Sequence, residues 1–205
     1  MFKITKESLD LTKKISHEIN NQTFHHHYHI LYDIAQSYVP DYELNYLEIG
    51  CYAGGSACLL LQRPKTNVIS IDLGRPISKN TVFNNINKLN VHNNSYNYIE
   101  GSSFDIETIT KLDTILKDRK VDILFIDGDH SYDGVKKDFD LYNKYVKEGG
   151  YIVFDDYNDT IHSPEVKPSV DNLELLGYDI LGEFGNEFGA RPEKHKPNEF
   201  VIRKK

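Results

Sequence analysis

Between Tyr46 and Phe154, five short apolar runs alternate with stretches of helical periodicity: Tyr46–Ile49, Asn67–Ile71, Tyr96–Glu100, Asp122–Ile126 and Tyr151–Phe154. Such alternation predicts a parallel sheet, because parallel neighbours need a long crossover and a helix supplies it. Two further runs, Tyr178–Glu183 and Glu199–Ile202, follow without a long helix between them. They predict an antiparallel pair that closes the sheet. The expected architecture is α/β: a Rossmann-like, seven-stranded, mostly parallel sheet with a closing antiparallel hairpin and extra N-terminal helices.

Those extra helices are read at roughly Lys6–Asn20 and Phe24–Tyr38, the second stopping before Pro40. A minimal doubly wound sheet has no place for them. They are expected to cover the sheet's ligand edge or to join two copies of the chain as a homodimer. The 205 residues read as one domain, with 1–40 as a helical cap. In the helix after Asp133, Val135, Phe139, Tyr142 and Val146 fall at offsets 0, 4, 7 and 11, a single apolar stripe. Ser131 or Asp133 can cap its start, and Gly149-Gly150 can end it through a left-handed turn.

Charge and composition narrow the function. A formal net charge of −7 argues against nucleic acid as the partner. No apolar run is long enough to span a bilayer, and the first residues lack the apolar core of a signal peptide. Cys51 and Cys58 are the only cysteines, too few for a disulfide scaffold or a zinc site of their own. The cytoplasm is the expected compartment.

Two strands end abruptly on acids: Leu124-Phe-Ile-Asp-Gly-Asp-His-Ser-Tyr132 and, one helix later, Gly149-Gly-Tyr-Ile-Val-Phe-Asp-Asp-Tyr157. Neighbouring strands lie about 4.8 Å apart, so Asp127 would meet Asp155 and Asp156 at one sheet edge. Open α/β sheets bind ligands at the carboxyl ends of their strands. Three carboxylates beside His130 therefore read as a divalent-metal and acid/base constellation. The alternative is a set of strand-end acids that cap the following segments. Asp129 could orient His130 or add a ligand.

Earlier in the chain, Leu47-Glu-Ile-Gly-Cys-Tyr-Ala-Gly-Gly-Ser-Ala57 joins the first strand to the first crossover helix. Glycines let the backbone turn tightly and approach a ligand. Asp72 ends the second strand, where a carboxylate can accept from both hydroxyls of a ribose. The spacing of Gly50, Gly54 and Gly55 is not the dinucleotide fingerprint. Glu48, an acid at the end of the strand itself, would repel pyrophosphate and suits a cofactor carrying ammonium and sulfonium charge.

Glu48-Ile-Gly-Cys-Tyr-Ala-Gly-Gly55, Asp72, Gly101-Ser-Ser103, Asp127 and Asp155-Asp156 together resemble class I S-adenosylmethionine-dependent methyltransferases. More narrowly they are similar to the magnesium-dependent O-methyltransferases, of catechol, caffeoyl and sugar types. The resemblance covers roughly Tyr46 to Tyr157, and the last two strands fit the family's closing hairpin. It implies that the glycine turn (Gly50, Tyr52, Gly54, Ser56) and Glu48 hold the methionine part of S-adenosylmethionine. Asp72 would take the ribose, Ser102 or Ser103 would sit near the adenine, and Asp127 would adjoin both cofactor and metal. Tyr52 stands where the family most commonly has its second glycine. The implied metal ligands are Asp127, Asp155 and Asp156, holding Mg2+ or another divalent cation.

His130, three residues after Asp127, occupies the place of a lysine base in catechol-type enzymes and a histidine base in sugar-type ones. It is the expected general base, with Asp127 beside it, and it tilts the acceptor from phenols toward a sugar or glycan hydroxyl. The alternatives are a catechol-like phenol or other small metabolite as acceptor, and, in another class, a nucleotide-binding oxidoreductase or non-catalytic module. His25-His26-His27-Tyr28-His29 invites a metal reading through His25 and His29 at i and i+4. Interface or surface histidines, or a lid touching substrate, explain the run better. Tyr132, Tyr142 and Tyr157 are candidates for stacking on a sugar, with Tyr142 better explained as core. Glu193-Lys-His-Lys196 reads as an exposed loop.

Overall fold

The computed structural model describes residues 2–20, 26–188 and 198–205. Seven strands form one sheet: β1 (Leu44–Ile49), β2 (Thr66–Asp72), β3 (Tyr96–Glu100), β4 (Val121–Ile126), β5 (Val146–Phe154), β6 (Tyr178–Phe184) and β7 (Glu199–Lys204). Their order is β3-β2-β1-β4-β5-β7-β6. The first five are parallel, and β7 runs antiparallel between β5 and β6. The order reverses between β1 and β4, which places a ligand crevice at their carboxyl ends. All seven strands read from the sequence are present.

The strands alternate between two faces, as the pleat requires. On one face Leu44, Tyr46, Val68, Phe125 and Val153 pack with α3 (Gly55–Leu60) and α4 (Lys79–Leu89). On the other, Leu47, Ile69, Leu124, Ile126 and Ile152 pack with α5 (Ile106–Leu116), α6 (Tyr132–Tyr142) and α7 (Val166–Asp171). Central strand β4 is buried along its whole length, as a covered parallel strand should be.

The N-terminal region forms α1 (Lys6–Glu18), a 3-10 turn at His26–Tyr28 and α2 (His29–Gln36). Thr5 caps α1 by accepting from the Ser8 amide. Ile15, Ile19, Ile30, Leu31 and Ile34 belong to the first core face. These helices therefore spend their apolar sides on this chain's own sheet, and the turn between them reaches the ligand edge.

One reading needs correction. Ser131 does cap α6, accepting from the Gly134 amide, but Gly149-Gly150 does not end that helix. It stops at Tyr142, a 3-10 turn spans Asn143–Tyr145, and β5 has already begun at Val146. Gly149, at φ +73°, lies inside the strand, where the β4–β5 register shifts. A glycine at positive φ serves a strand irregularity as well as a helix stop, and sequence alone does not separate them.

Candidate active site

A cleft of about 700 Å³ opens at the carboxyl ends of β1 to β5. Its lining includes Gly50 and Tyr52 after β1, Asp72 ending β2, Ser102 and Ser103 after β3, Asp127 to His130 after β4, and Asp155 with Asp156 after β5. Tyr28, from the N-terminal 3-10 turn, supplies another wall.

The turn after β1 is shaped by conformations that most residues avoid. Gly50 has φ +83°, and a Cβ there would stand 1.9 Å from the Asp127 carbonyl oxygen. Only glycine lets β1 and β4 end side by side. Tyr52 also sits at positive φ, +47°, an αL conformation costly for a bulky residue. That is the physical reason a glycine suits the position better, and Tyr52 is held there in strain. Asp72 braces this turn: Oδ2 accepts from the Cys51 and Tyr52 amides at 2.9 and 3.1 Å, and Oδ1 accepts from the Gly74 amide at 2.7 Å.

Glu48, Gly54 and Ser56 support the turn and do not line the cleft. Glu48 is fully buried and accepts from the Ser56 hydroxyl at 2.5 Å, Ser70 at 2.6 Å and Tyr46 at 2.9 Å. Burial pushes its carboxyl up to about 7, against the three hydroxyl donors, which favour the charged form. Because an unfolded chain ionises glutamate near ~4.3, the folded state holds a proton that the unfolded one releases. This group's stabilisation is thus complete below about pH 4.3 and is lost as pH rises through about 7. Glu48→Gln, in the ligand-free protein, is expected to raise the melting temperature by several degrees at pH 8 (about 2–4 °C per kcal/mol for a chain this size). At pH 5 the change should be small. Equal shifts at both pH values would contradict the assignment.

The acidic end converges as the strand ends predict. Asp127 Oδ2 accepts from the Tyr28 hydroxyl at 2.8 Å, and Oδ1 lies 3.1 Å from His130 Nε2. His130 Nδ1 lies 2.7 Å from Ser163 Oγ, which donates its hydrogen to Asp156 Oδ2 at 3.0 Å. Ser163 then accepts from Nδ1–H, and Nε2 faces the Asp127 carboxyl. Burial opposes the charged ring, yet the Asp127 hydrogen bond and the charges of Asp127, Asp156 and Asp129 outweigh it and hold His130 above its ordinary value. Asp156 has φ +54°, backbone strain of the kind that functional sites retain. Asp129 accepts from the Ser131 amide at 3.0 Å.

Behind this group lie residues that sequence reasoning passed over. His27 Nε2 is 2.9 Å from Asp155 Oδ1 and 3.9 Å from Glu199 Oε1. Burial and the neighbouring carboxylates push both Asp155 and Glu199 far above the usual carboxylate range. The histidine run did carry a signal, but the residues that reach the site are His27 and Tyr28. His29 instead pairs with Asp33 at 3.2 Å, and His25 and Glu193–Lys196 lie outside the described residues. An acid opening an apolar strand was the available clue to Glu199; Ser163 offered none. Tyr142 is core, donating to the Ser103 carbonyl, and Tyr157 is buried in a stack on Phe200. Neither serve as a surface for a sugar. Tyr132 is partly exposed beside the cleft's His130 loop.

Cys51 and Cys58 are buried thiols without a disulfide. Among the described residues, no helix is long and apolar enough to cross a membrane.

The profile of the family described as "Methyltransferase domain" matches residues 47–157. An uncharacterized protein, R132, of Acanthamoeba polyphaga mimivirus is 44% identical over 168 residues, covering 78% of this chain and 72% of the relative. Among solved structures, an O-methyltransferase from Bacillus cereus in complex with SAH superposes with a TM-score of 0.60 at 17% identity, covering 98% of this chain and 92% of that one. CalS11, a TDP-rhamnose 3'-O-methyltransferase of calicheamicin biosynthesis, gives 0.55 at 14% identity, covering 97% and 96%. At these identities the likeness is one of fold.

Proposed function

This chain belongs to the methyltransferase domain family and is an S-adenosylmethionine-dependent methyltransferase; on that premise we propose that it methylates a hydroxyl of a sugar or glycan-linked acceptor, with a divalent cation at Asp127, Asp155 and Asp156. The observation that carries the reading is the meeting of these carboxylates with His130 at one end of a cleft whose other end is the glycine turn and Asp72.

Gly50, Tyr52, Asp72, Ser102, Ser103 and Asp127 would hold the cofactor, with Glu48, Gly54 and Ser56 fixing the turn from beneath. S-adenosylmethionine, when bound, supplies an electrophilic methyl group to an aligned nucleophile. The acidic lining suits its positive charges.

The donor set fits a hard cation such as Mg2+: all carboxylate oxygens, on adjacent strand ends, with open cleft in front. Such an ion, when bound, would orient the acceptor's oxygens and lower the pKa of a hydroxyl. His130 is the base. For that it must be neutral at Nε2, the nitrogen that faces Asp127, while Ser163 and Asp156 keep the proton on Nδ1 and fix the ring plane. Tyr28 holds the other oxygen of Asp127.

A sugar hydroxyl is favoured by a histidine at position 130, by the polar lining, and by the fold shared with a sugar O-methyltransferase. The test is methyl transfer to a panel of nucleotide sugars, simple glycosides and catechols. Activity with sugars, abolished by EDTA and restored by Mg2+, is the expected outcome, and Asp127→Asn should lose the Mg2+ response. Product from catechols alone would overturn the acceptor, and full activity in EDTA would overturn the metal. Calorimetry with S-adenosylhomocysteine and with NAD checks the cofactor half, where binding of NAD alone would contradict it.

A further inference from the structure

One face of Asp155 looks toward the cleft and its companions Asp127 and Asp156; the other meets His27 and Glu199. His27 comes from the N-terminal turn, 128 residues before Asp155, and Glu199 opens β7. The three side chains are at most 2% exposed. One donor atom from each lies within 4.8 Å of the others. A tetrahedral ion with bonds of about 2.0–2.1 Å keeps its donors roughly 3.3 Å apart. The His27 separations of 2.9 Å to Asp155 and 3.9 Å to Glu199 bracket that figure.

A second observation is independent of this spacing. Among the described residues, no nitrogen or hydroxyl donor hydrogen-bonds either oxygen of the fully buried Glu199, and the group it meets is a second carboxyl, Asp155. Buried polar groups are otherwise hydrogen-bonded in folded proteins, and a buried carboxylate needs a paired charge or a metal. Glu199 stands 3.9 Å from the one histidine nitrogen that also touches Asp155.

We propose that His27, Asp155 and Glu199 form a second divalent-cation site, suited to a manganese- or zinc-like ion, with Asp155 shared between it and the cleft site. The imidazole sets the class of ion: a nitrogen donor among carboxylates suits borderline transition metals, whereas carboxylates alone suit magnesium. The inference rests on the metal reading above only through Asp155. The ion at this site is a clasp, joining the N-terminal turn to β5 and β7. By fixing His27 it also fixes Tyr28, the next residue, whose hydroxyl orients Asp127.

The experiment counts ions on the intact protein. Wild type, Glu199→Gln, His27→Gln and Asp156→Asn are stripped with EDTA, reloaded with Mn2+, desalted and measured for bound manganese and melting temperature. Circular dichroism confirms the fold of each, and Glu199→Gln, which removes the carboxyl donor at nearly constant shape, guards against a variant that fails to fold. Two ions are expected in wild type and one in each variant. In Glu199→Gln and His27→Gln, most of the Mn2+-induced rise in melting temperature should vanish. In Asp156→Asn it should largely persist. One ion in wild type that survives Glu199→Gln and is lost in Asp156→Asn overturns this site and leaves the cleft site standing. One ion lost in all three variants overturns it in favour of a single mixed site. No ion in any protein overturns both.

Discussion

His130→Ala is expected to lower kcat by about 10²–10⁴-fold, the range for loss of a positioned general base, with the affinity for S-adenosylhomocysteine unchanged. The ring faces the acidic end of the cleft and is anchored on both nitrogens, to Ser163 and Asp127. The pH profile separates a base from a structural histidine. Only the neutral ring can accept a proton, so the rate of the wild type should rise with pH. Asp127 and Asp156 favour the imidazolium, so at low Mg2+ the midpoint should lie above the ordinary ~6.5. Saturating Mg2+ neutralises those carboxylates and should move the midpoint down. Ser163→Ala, leaving the imidazole in place, should lower kcat much less than His130→Ala and alter the same limb. A His130→Ala enzyme with an unchanged kcat and the same acid limb would remove His130 from the chemistry.

Gly50→Ala is expected to abolish cofactor binding and to destabilise the fold by on the order of 3 kcal/mol or more. Two independent costs act. The φ of +83° is left-handed backbone, worth about 1–2 kcal/mol against a Cβ. The new methyl would also stand 1.9 Å from the Asp127 carbonyl oxygen, against backbone that cannot swing aside as a side chain can. To relieve that overlap, the ends of β1 and β4 must separate. Their separation would take Gly50 away from the cofactor half of the cleft and Asp127 away from the acidic half together. A melting curve and calorimetry with S-adenosylhomocysteine measure both effects. Gly54→Ala is the control: its Cβ would meet only the Val82 and Ile86 side chains, at 3.3 and 3.7 Å, so it carries the φ cost without a backbone collision. Near-native cofactor affinity in Gly50→Ala would refute this account of the turn.

The parallel sheet was legible because its signal is local. Each of β1 to β5 contains a short apolar run that ends on, or is followed at once by, a glycine or an acid: Gly50, Asp72, Glu100, Asp127 and Asp155. Asp127, Asp155 and Asp156 were legible for the same reason: adjacency of two parallel strands turns a pattern along the chain into a place in space. Gly149-Gly150 misled because a positive φ is a property of one residue, indifferent to whether a helix or a strand surrounds it. His27, Tyr28 and Glu199 were hidden by their dependence on tertiary closure. Nothing near His27 in sequence says that it will meet Asp155, and the histidines that looked paired by helical spacing were different ones. Glu48, expected at the cofactor, lies beneath the turn instead of lining the cleft, enclosed by three hydroxyl groups that its position at a strand end did not announce.

The sheet order has a consequence for how this protein is born. Strand β7 lies between β5 and β6, so during synthesis β6 leaves the ribosome before the strand it pairs with, and the outer edge of β5 waits uncovered. His27 waits longer still: it emerges 172 residues before Glu199, one wall of its pocket. Domains generally fold as units during synthesis, with the chain growing at about 5–20 residues per second. The nascent chain thus spends seconds with its central sheet partly laid down and the acidic end open, and the candidate site becomes whole only when β7 slides into its gap.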